Sequence, residues 1–219
     1  MRAGTEENAG PAAKSLSELA RLEAACRRCP LYQLATRVVP GEGPRRAFLM
    51  LVGEQPGDSE DRAGKPFVGP AGRVLDRALS DAGIARDKTF VTNAVKHFKN
   101  EERGKRRLHK RPNLYEIERC QWWLDLERGL VNPRVTVALG ATAARSLTGK
   151  TVRISSQRGR QLTLPDGSTA FVTIHPSFLL RLRDEGVKER EYGRLVADSS
   201  GPRKRQRRRS PKPRARVYP

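Results

Sequence analysis

The chain has 219 residues, 37% of them apolar, with 44 Lys and Arg against 24 Asp and Glu. That is apolar material for one core of ordinary domain size and too little chain for two. No apolar run exceeds residues 47–52 and Glu6 and Glu7 have no apolar stretch behind them, which argues against a membrane span and a secretory leader. A net charge of +20 points to polyanionic partners, because Lys and Arg displace counterions from phosphates whatever the base sequence.

Residues 1–14 lack any periodic pattern and are expected to be flexible. Ser15 followed by Glu18 is a capping box, predicting a helix from there to Arg28. Ala47–Val52, ended by Gly53, suits a strand buried on both faces of a parallel sheet. A helix follows from Gly69 and Pro70 to Leu79, with Val74, Leu75, Ala78 and Leu79 on one stripe and Gly83 as its stop. The alternation then repeats: Thr89–Val95 as strand, Asn113–Arg128 as helix opened by Pro112, Arg134–Leu139 as strand, and Ala141–Leu147 as helix. Gln161–Leu164 and Thr169–Ile174 flank the hairpin signal Pro165-Asp166-Gly167-Ser168, and a helical segment begins at Pro176. The pattern predicts an α/β fold, a three-layer α/β/α sandwich with a mostly parallel central sheet. Residues 199–219 hold nine Lys and Arg, no acid and few apolar side chains, and are expected to form a disordered basic tail behind a single domain at 15–198.

In open parallel sheets ligands sit at the carboxyl ends of the strands. Three segments qualify: Gly53-Glu54-Gln55-Pro56-Gly57-Asp58, then Asn93 with Lys96 and His97, then His175-Pro176-Ser177. One sheet edge thus gathers Glu54, Gln55, Asp58, Asn93 and His175. Each has an ordinary alternative, as a connector turn, a local hydrogen-bonder or a helix start; their coincidence on one edge favours a site. The polar, basic stretch Lys99–Pro112 leaves this same edge, so it is read as a lid over a DNA strand rather than a solvated loop. It presents His109, a titratable nucleophile, among Lys105, Arg106, Arg107, Lys110 and Arg111.

Three Cys cannot all pair, so ligation is the more informative reading of Cys26, Cys29 and Cys120. With His97 as a fourth ligand, spacing alone suggests zinc; unrelated buried thiols are the plain alternative.

Together these residues resemble the uracil-DNA glycosylase superfamily, specifically its iron–sulfur branch (family 4), and within it the UdgX group. The resemblance covers about Leu16 to Ala197. It rests on Gly53–Asp58, Gly64-Lys65-Pro66-Phe67-Val68-Gly69, Thr92–His97, Lys105-Arg106-Arg107-Leu108-His109 and His175–Arg181. Ordinary family 4 proteins typically show Ala where Gln55 stands, Cys where His97 stands, and no basic insertion ending in His109. Those departures are what the UdgX group shares.

The resemblance implies a [4Fe–4S] cluster on Cys26, Cys29, His97 and Cys120, serving structure. It implies Phe67 stacking on a flipped uracil, Asn93 on its Watson–Crick edge, and His175 near O2 of the departing base. Gln55 and Asp58 complete the uracil-binding set by supporting the site's backbone and orientation, while Lys105, Arg106, Arg107 and Arg181 serve the loop and the DNA, with Arg107 holding the loop. Glu54, which would activate water in a turnover enzyme, is expected to accept a ring N–H from His109, so that His109 attacks C1′ and stays bonded to it. The implied protein is a cytoplasmic, nucleoid-associated monomer that captures uracil-containing DNA, single strands included, and needs no membrane. The alternatives are a multiple-turnover glycosylase that tolerates the insertion, and a non-catalytic DNA-binding module.

Overall fold

The computed structural model describes residues 13–207, with side chains to residue 200. Ser15 caps helix α1 (Leu16–Ala24) by accepting from the Glu18 amide. The helix stops short of Arg28, and the chain turns through Cys26 and Cys29 into a short 3-10 turn (Pro30–Gln33). Strand β1 (Leu49–Gly53) is buried throughout. Its Met50 and Val52 belong to one core cluster and its Leu49 and Leu51 to another, the period-two alternation of a strand covered on both faces.

Helix α2 (Asp58–Ala63) occupies a segment for which the sequence suggested no element. Next come α3 (Pro70–Asp81) and β2 (Thr89–Asn93). The polar stretch read as a lid forms an antiparallel hairpin of β3 (Asn100–Arg103) and β4 (Arg106–His109). Gly104, at φ +60°, supplies its tight turn. Its strands carry charge rather than alternating apolar residues, so no burial pattern announced them. Then follow α4 (Leu114–Val131), β5 (Val135–Leu139), α5 (Ala141–Thr148), α6 (Ile154–Gln157), β6 (Gln161–Thr163) and β7 (Thr169–Thr173).

The main sheet has the order β2-β1-β5-β7-β6, with β6 alone antiparallel. Residues of α4 and α5 pack one face together with Met50, Val52 and Ala138; residues of α3 pack the other with Leu49, Leu51 and Val137. This is the expected α/β/α sandwich. Parallel register sets Gly53 beside Asn93 and Leu139 beside Thr173, so Glu54, Asn93 and His175 leave the same sheet edge.

A 3-10 turn (Pro176–Arg181) leads to α7 (Glu185–Arg207). The disorder expected from Ser199 is therefore corrected as far as Arg207. Ser199 is buried and donates to the Leu195 carbonyl, and Leu195 packs with Ala78 and Leu179, so the helix is held by packing that composition does not reveal. Residues 1–12 and 208–219, on which the rest of the terminal expectations fall, lie outside the described residues. Ala13 packs against the cluster around Cys26. Among the described residues no helix is long and apolar enough to cross a membrane.

Candidate active site

A cleft of about 570 Å³ opens at the carboxyl edge of the sheet, and Glu54, Gln55, Asp58, Phe67, Asn93, His109, His175 and Arg181 all line it. Lys105 and Arg106 lie apart, exposed at the hairpin tip.

Asn93, at the end of β2, is buried, and its Oδ1 has no hydrogen-bond partner. A buried acceptor left bare costs about 1–3 kcal/mol, which a ligand N–H would recover. Gly53 makes the room: a Cβ there would overlap Asn93 Oδ1 and lie 2.6 Å from Phe67 Cζ. Phe67 has φ 57°, a left-handed conformation that a bulky residue rarely adopts. Its backbone carbonyl sits where a Cβ of residue 72 would be, so Gly72 lets α3 hold the aromatic ring in place. The Phe67 and His175 rings are 5.9 Å apart and inclined at 31°. Phe67 and Asn93 thus form a wall and a polar edge suited to a flat heterocycle.

His175 Nδ1 accepts from the Ser177 amide at 3.2 Å, which fixes the neutral tautomer with its proton on Nε2. Burial, with His109 and Arg181 adding, pushes its pKa down to about 4. A neutral imidazole N–H is therefore available as a donor at neutral pH.

Gln55 joins the hairpin to the sheet edge. Its Oε1 accepts from the Lys99 amide at 3.1 Å and its Nε2 donates to the Lys110 carbonyl at 2.9 Å, across the two ends of the hairpin. These main-chain bonds orient the amide, so the contact of Gln55 Nε2 with His109 Nε2, at 2.9 Å, is a donation to the histidine. In the tautomer that accepts this contact, His109 carries its proton on Nδ1 and a lone pair on Nε2. Gln55 Nε2 also lies 3.3 Å from the Lys99 carbonyl, giving three acceptors for two protons; the His109 contact can yield while the backbone bonds remain.

The expected hydrogen bond between Glu54 and His109 is not formed. Glu54 Oε1 is 3.6 Å from His109 Nε2, too far for one, while Oε2 accepts from Thr142 Oγ1 at 2.5 Å. Thr142, in the first turn of α5, was missed in the sequence because it follows a strand with no motif of its own. Glu60 was missed too; it spans the main-chain amides of Gly57 at 3.1 Å and Gly69 at 2.7 Å, bracing the loops on either side of α2. Its place three residues after the helix-capping Gly57 was the available signal.

Asp58, expected to support the site's backbone and orientation, is turned to the hairpin. It accepts from Arg107 Nε at 2.7 Å and from Arg62 at 2.9 Å, and the hydrogen bond from Arg62, with Arg107 adding, holds its carboxyl below the ordinary range. Arg107 also donates to the fully buried Asp61 at 2.6 Å and to Thr36 at 2.9 Å. It is therefore turned inward, tying β4 to α2.

Beneath Asn93, the fully buried Lys96 donates to the Asn93 carbonyl at 3.0 Å, to Thr92 at 2.5 Å and to Glu127 at 2.6 Å. Its own amide lies 3.2 Å from Cys120 Sγ. Glu23, buried with both oxygens unpartnered, has its pKa raised to about 8 by burial, with Glu127 adding and Lys96 opposing.

The chain matches the uracil DNA glycosylase superfamily over residues 40–198. The chain belongs to that superfamily. It is 38% identical over 164 residues to a type-4 uracil-DNA glycosylase of Thermotoga maritima, covering 74% of this chain and 82% of the relative. It is 36% identical over 188 residues to a type-4 uracil-DNA glycosylase of Pyrobaculum aerophilum, covering 80% and 90%.

In this member of the superfamily Cys26, Cys29 and Cys120 share one buried cluster with Leu19, Ile117 and Trp123. Trp123 Nε1 donates to Cys26 Sγ at 3.1 Å, and the Lys96 amide points to Cys120 Sγ. Buried cysteines in one cluster, two of whose sulfurs already receive N–H donors, have the chemistry that thiolate ligation uses. Burial pushes the Cys29 and Cys120 thiols up, so as free thiols both stay protonated at neutral pH, and a metal binding there would have to displace the proton. His97 is buried, and burial pushes its pKa down to about 4, leaving a neutral imidazole. Among the described residues no group of three or more His, Cys, Asp and Glu is arranged to hold a single metal ion.

Proposed function

We propose that this protein excises uracil from DNA and then keeps the abasic sugar, bonded through His109, in the manner of the UdgX group. The observation that carries the excision reading is the bare, buried Asn93 Oδ1 facing a cleft walled by Phe67 and closed by His175. Uracil offers N3–H to that acceptor and O4 to the amide's donor; cytosine presents the reverse polarity at both positions. Membership of the superfamily and similarity to two type-4 uracil-DNA glycosylases support the same reading.

Breaking the C1′–N1 bond leaves positive charge on the sugar and an anion on the base. The His175 Nε2–H would stabilise the anion at O2, and Asn93 would stabilise it at O4; solvent then supplies the proton at N1. The capture reading rests on His109 Nε2, a lone pair in the cleft beside Glu54. Nε2 forms the new bond to C1′ as uracil departs, giving a substituted imidazolium that Glu54 offsets electrostatically and that becomes neutral by losing its Nδ1 proton to solvent. Glu54, anchored by Thr142, acts here as a fixed charge. The adduct persists because a neutral substituted imidazole is a poor leaving group.

Cys26, Cys29, Cys120 and His97 would hold a [4Fe–4S] cluster, a covalent tie among α1, α4 and the end of β2 in a reaction that needs no electron. The substrate partner is uracil-containing DNA, single strands included, bound by a monomer.

The test is incubation with a uracil-containing oligonucleotide, measuring free uracil and denaturant-resistant protein–DNA species together. One uracil released per protein with a matching adduct is expected. Turnover without adduct selects the conventional glycosylase, and binding without release selects the DNA-binding module.

A further inference from the structure

A second depression, of about 280 Å³, lies between the starts of α4 and α5. Pro112, Leu114, Ile117 and Val152 give it an apolar floor, and Arg111 and Arg145 stand on its rim. No carboxylate lines it. Arg111 is exposed and makes no hydrogen bond or ion pair among the described residues; Arg145 touches only the Thr151 hydroxyl, at 2.7 Å. Leu114 is 46% exposed, a large apolar side chain kept in water at the first position of its helix.

The groove is linked to the active cleft through two residues. Thr142 lines it and hydrogen-bonds Glu54, which lines the cleft. Arg111 follows His109 by two residues, so the chain that presents the nucleophile also builds the groove's rim. A strand whose deoxyuridine sits under His109 would carry its neighbouring nucleotide toward this groove. Its phosphates find two cations with little other engagement, and its base finds an apolar floor.

We infer that this groove seats the base of a nucleotide flanking the captured one, with Arg111 and Arg145 on the adjoining phosphates. A base lying on that floor cannot be paired, so the substrate taken best is a strand with an unpaired neighbour beside the uracil. The inference rests on the functional reading above, narrowing its substrate class. Apolar stacking and phosphate pairing act on separate observables: the first is sequence-tolerant and salt-insensitive, the second is screened by salt.

The experiment measures affinity, by fluorescence anisotropy, for short single strands centred on a 2′-fluorinated deoxyuridine that resists cleavage. The strands are either intact or carry an abasic spacer as the 5′ or the 3′ neighbour. The parent is expected to bind one spacer strand roughly fivefold or more weakly than the intact strand, the effect of apolar base area left unburied. Leu114→Ser should erase that difference. The pair Arg111→Gln and Arg145→Gln should weaken binding to every strand and flatten the salt dependence by about 0.7 in log–log slope for each phosphate that is no longer neutralised. Arg134→Gln, removing an equal charge just before β5 at the opposite sheet edge, should leave the spacer penalty intact. Thermal melts confirm that the variants are folded. A parent that binds all three strands alike, or none, overturns the inference, as does a penalty that survives Leu114→Ser. A parent tested alongside on a cleavable strand separates the two readings: failure to release uracil removes the proposed activity, whereas the groove is decided by affinity alone.

Discussion

A single methyl group at position 53 would collide with Asn93 Oδ1 and the Phe67 ring together, so that glycine is the space in which recognition is built. The bare Asn93 acceptor predicts the first outcome: Asn93→Ala should slow single-turnover uracil release by roughly 10²–10³, the loss expected when a donor aimed at a developing anion is removed, while the protein melts near the parental temperature. Release at the parental rate would take Asn93 out of the site. His175 makes a prediction in pH. Its folded pKa, about 4, is depressed below the ordinary His value, so between those limits the unfolded chain binds the extra proton. The contribution to stability is then complete above about 6.5 and is lost as pH falls toward 4. Denaturant unfolding across that window should show the parent losing stability relative to His175→Gln as the pH falls, with a constant difference above it. A difference that does not change with pH would mean that the buried neutral imidazole is misassigned.

At the scale of elements, the hairpin is held at two places: Gln55 grips both ends of its base, and Arg107 pins β4 to Asp58 and Asp61 of α2. Removing Arg107 leaves Asp61 buried with only main-chain partners and releases the strand that ends in His109. Arg107→Met should therefore raise amide hydrogen exchange across residues 100–109 while β1 and β5 stay protected, and should slow capture more than uracil release. Unchanged exchange in the hairpin would contradict the role given to Arg107. These elements also mark what the sequence made legible. Strands β1, β2, β5 and β7 are apolar runs flanked by helices with caps and glycine stops, and the strand-end rule then led to Glu54, Asn93 and His175. The hairpin was hidden because its stability comes from side chains distant in sequence, and α2 because six residues rich in Asp, Glu and Ser resemble a turn. The partners chosen by Glu54, Asp58 and Arg107 depend on packing between α2, α5 and β4, which no local pattern encodes.

For the whole molecule, the positive charge and the cysteine cluster act at different distances from the chemistry. The basic excess supplies affinity for phosphates that weakens with salt, and the cysteines sit where α1, α4 and the chain after β2 meet. The purified protein should contain iron and be brown; stoichiometric zinc without iron would contradict the cluster assignment. Superfamily membership accounts for the sandwich and the cleft, whereas the proposed retention of DNA would depend on His109. The most direct measurement is therefore the site of the bond. After reaction with a uracil-containing oligonucleotide and proteolysis, mass spectrometry of the adduct should place the sugar on His109, and His109→Ser should release uracil repeatedly with no adduct at all. A sugar found on any other residue, or an adduct that persists in His109→Ser, would contradict the account.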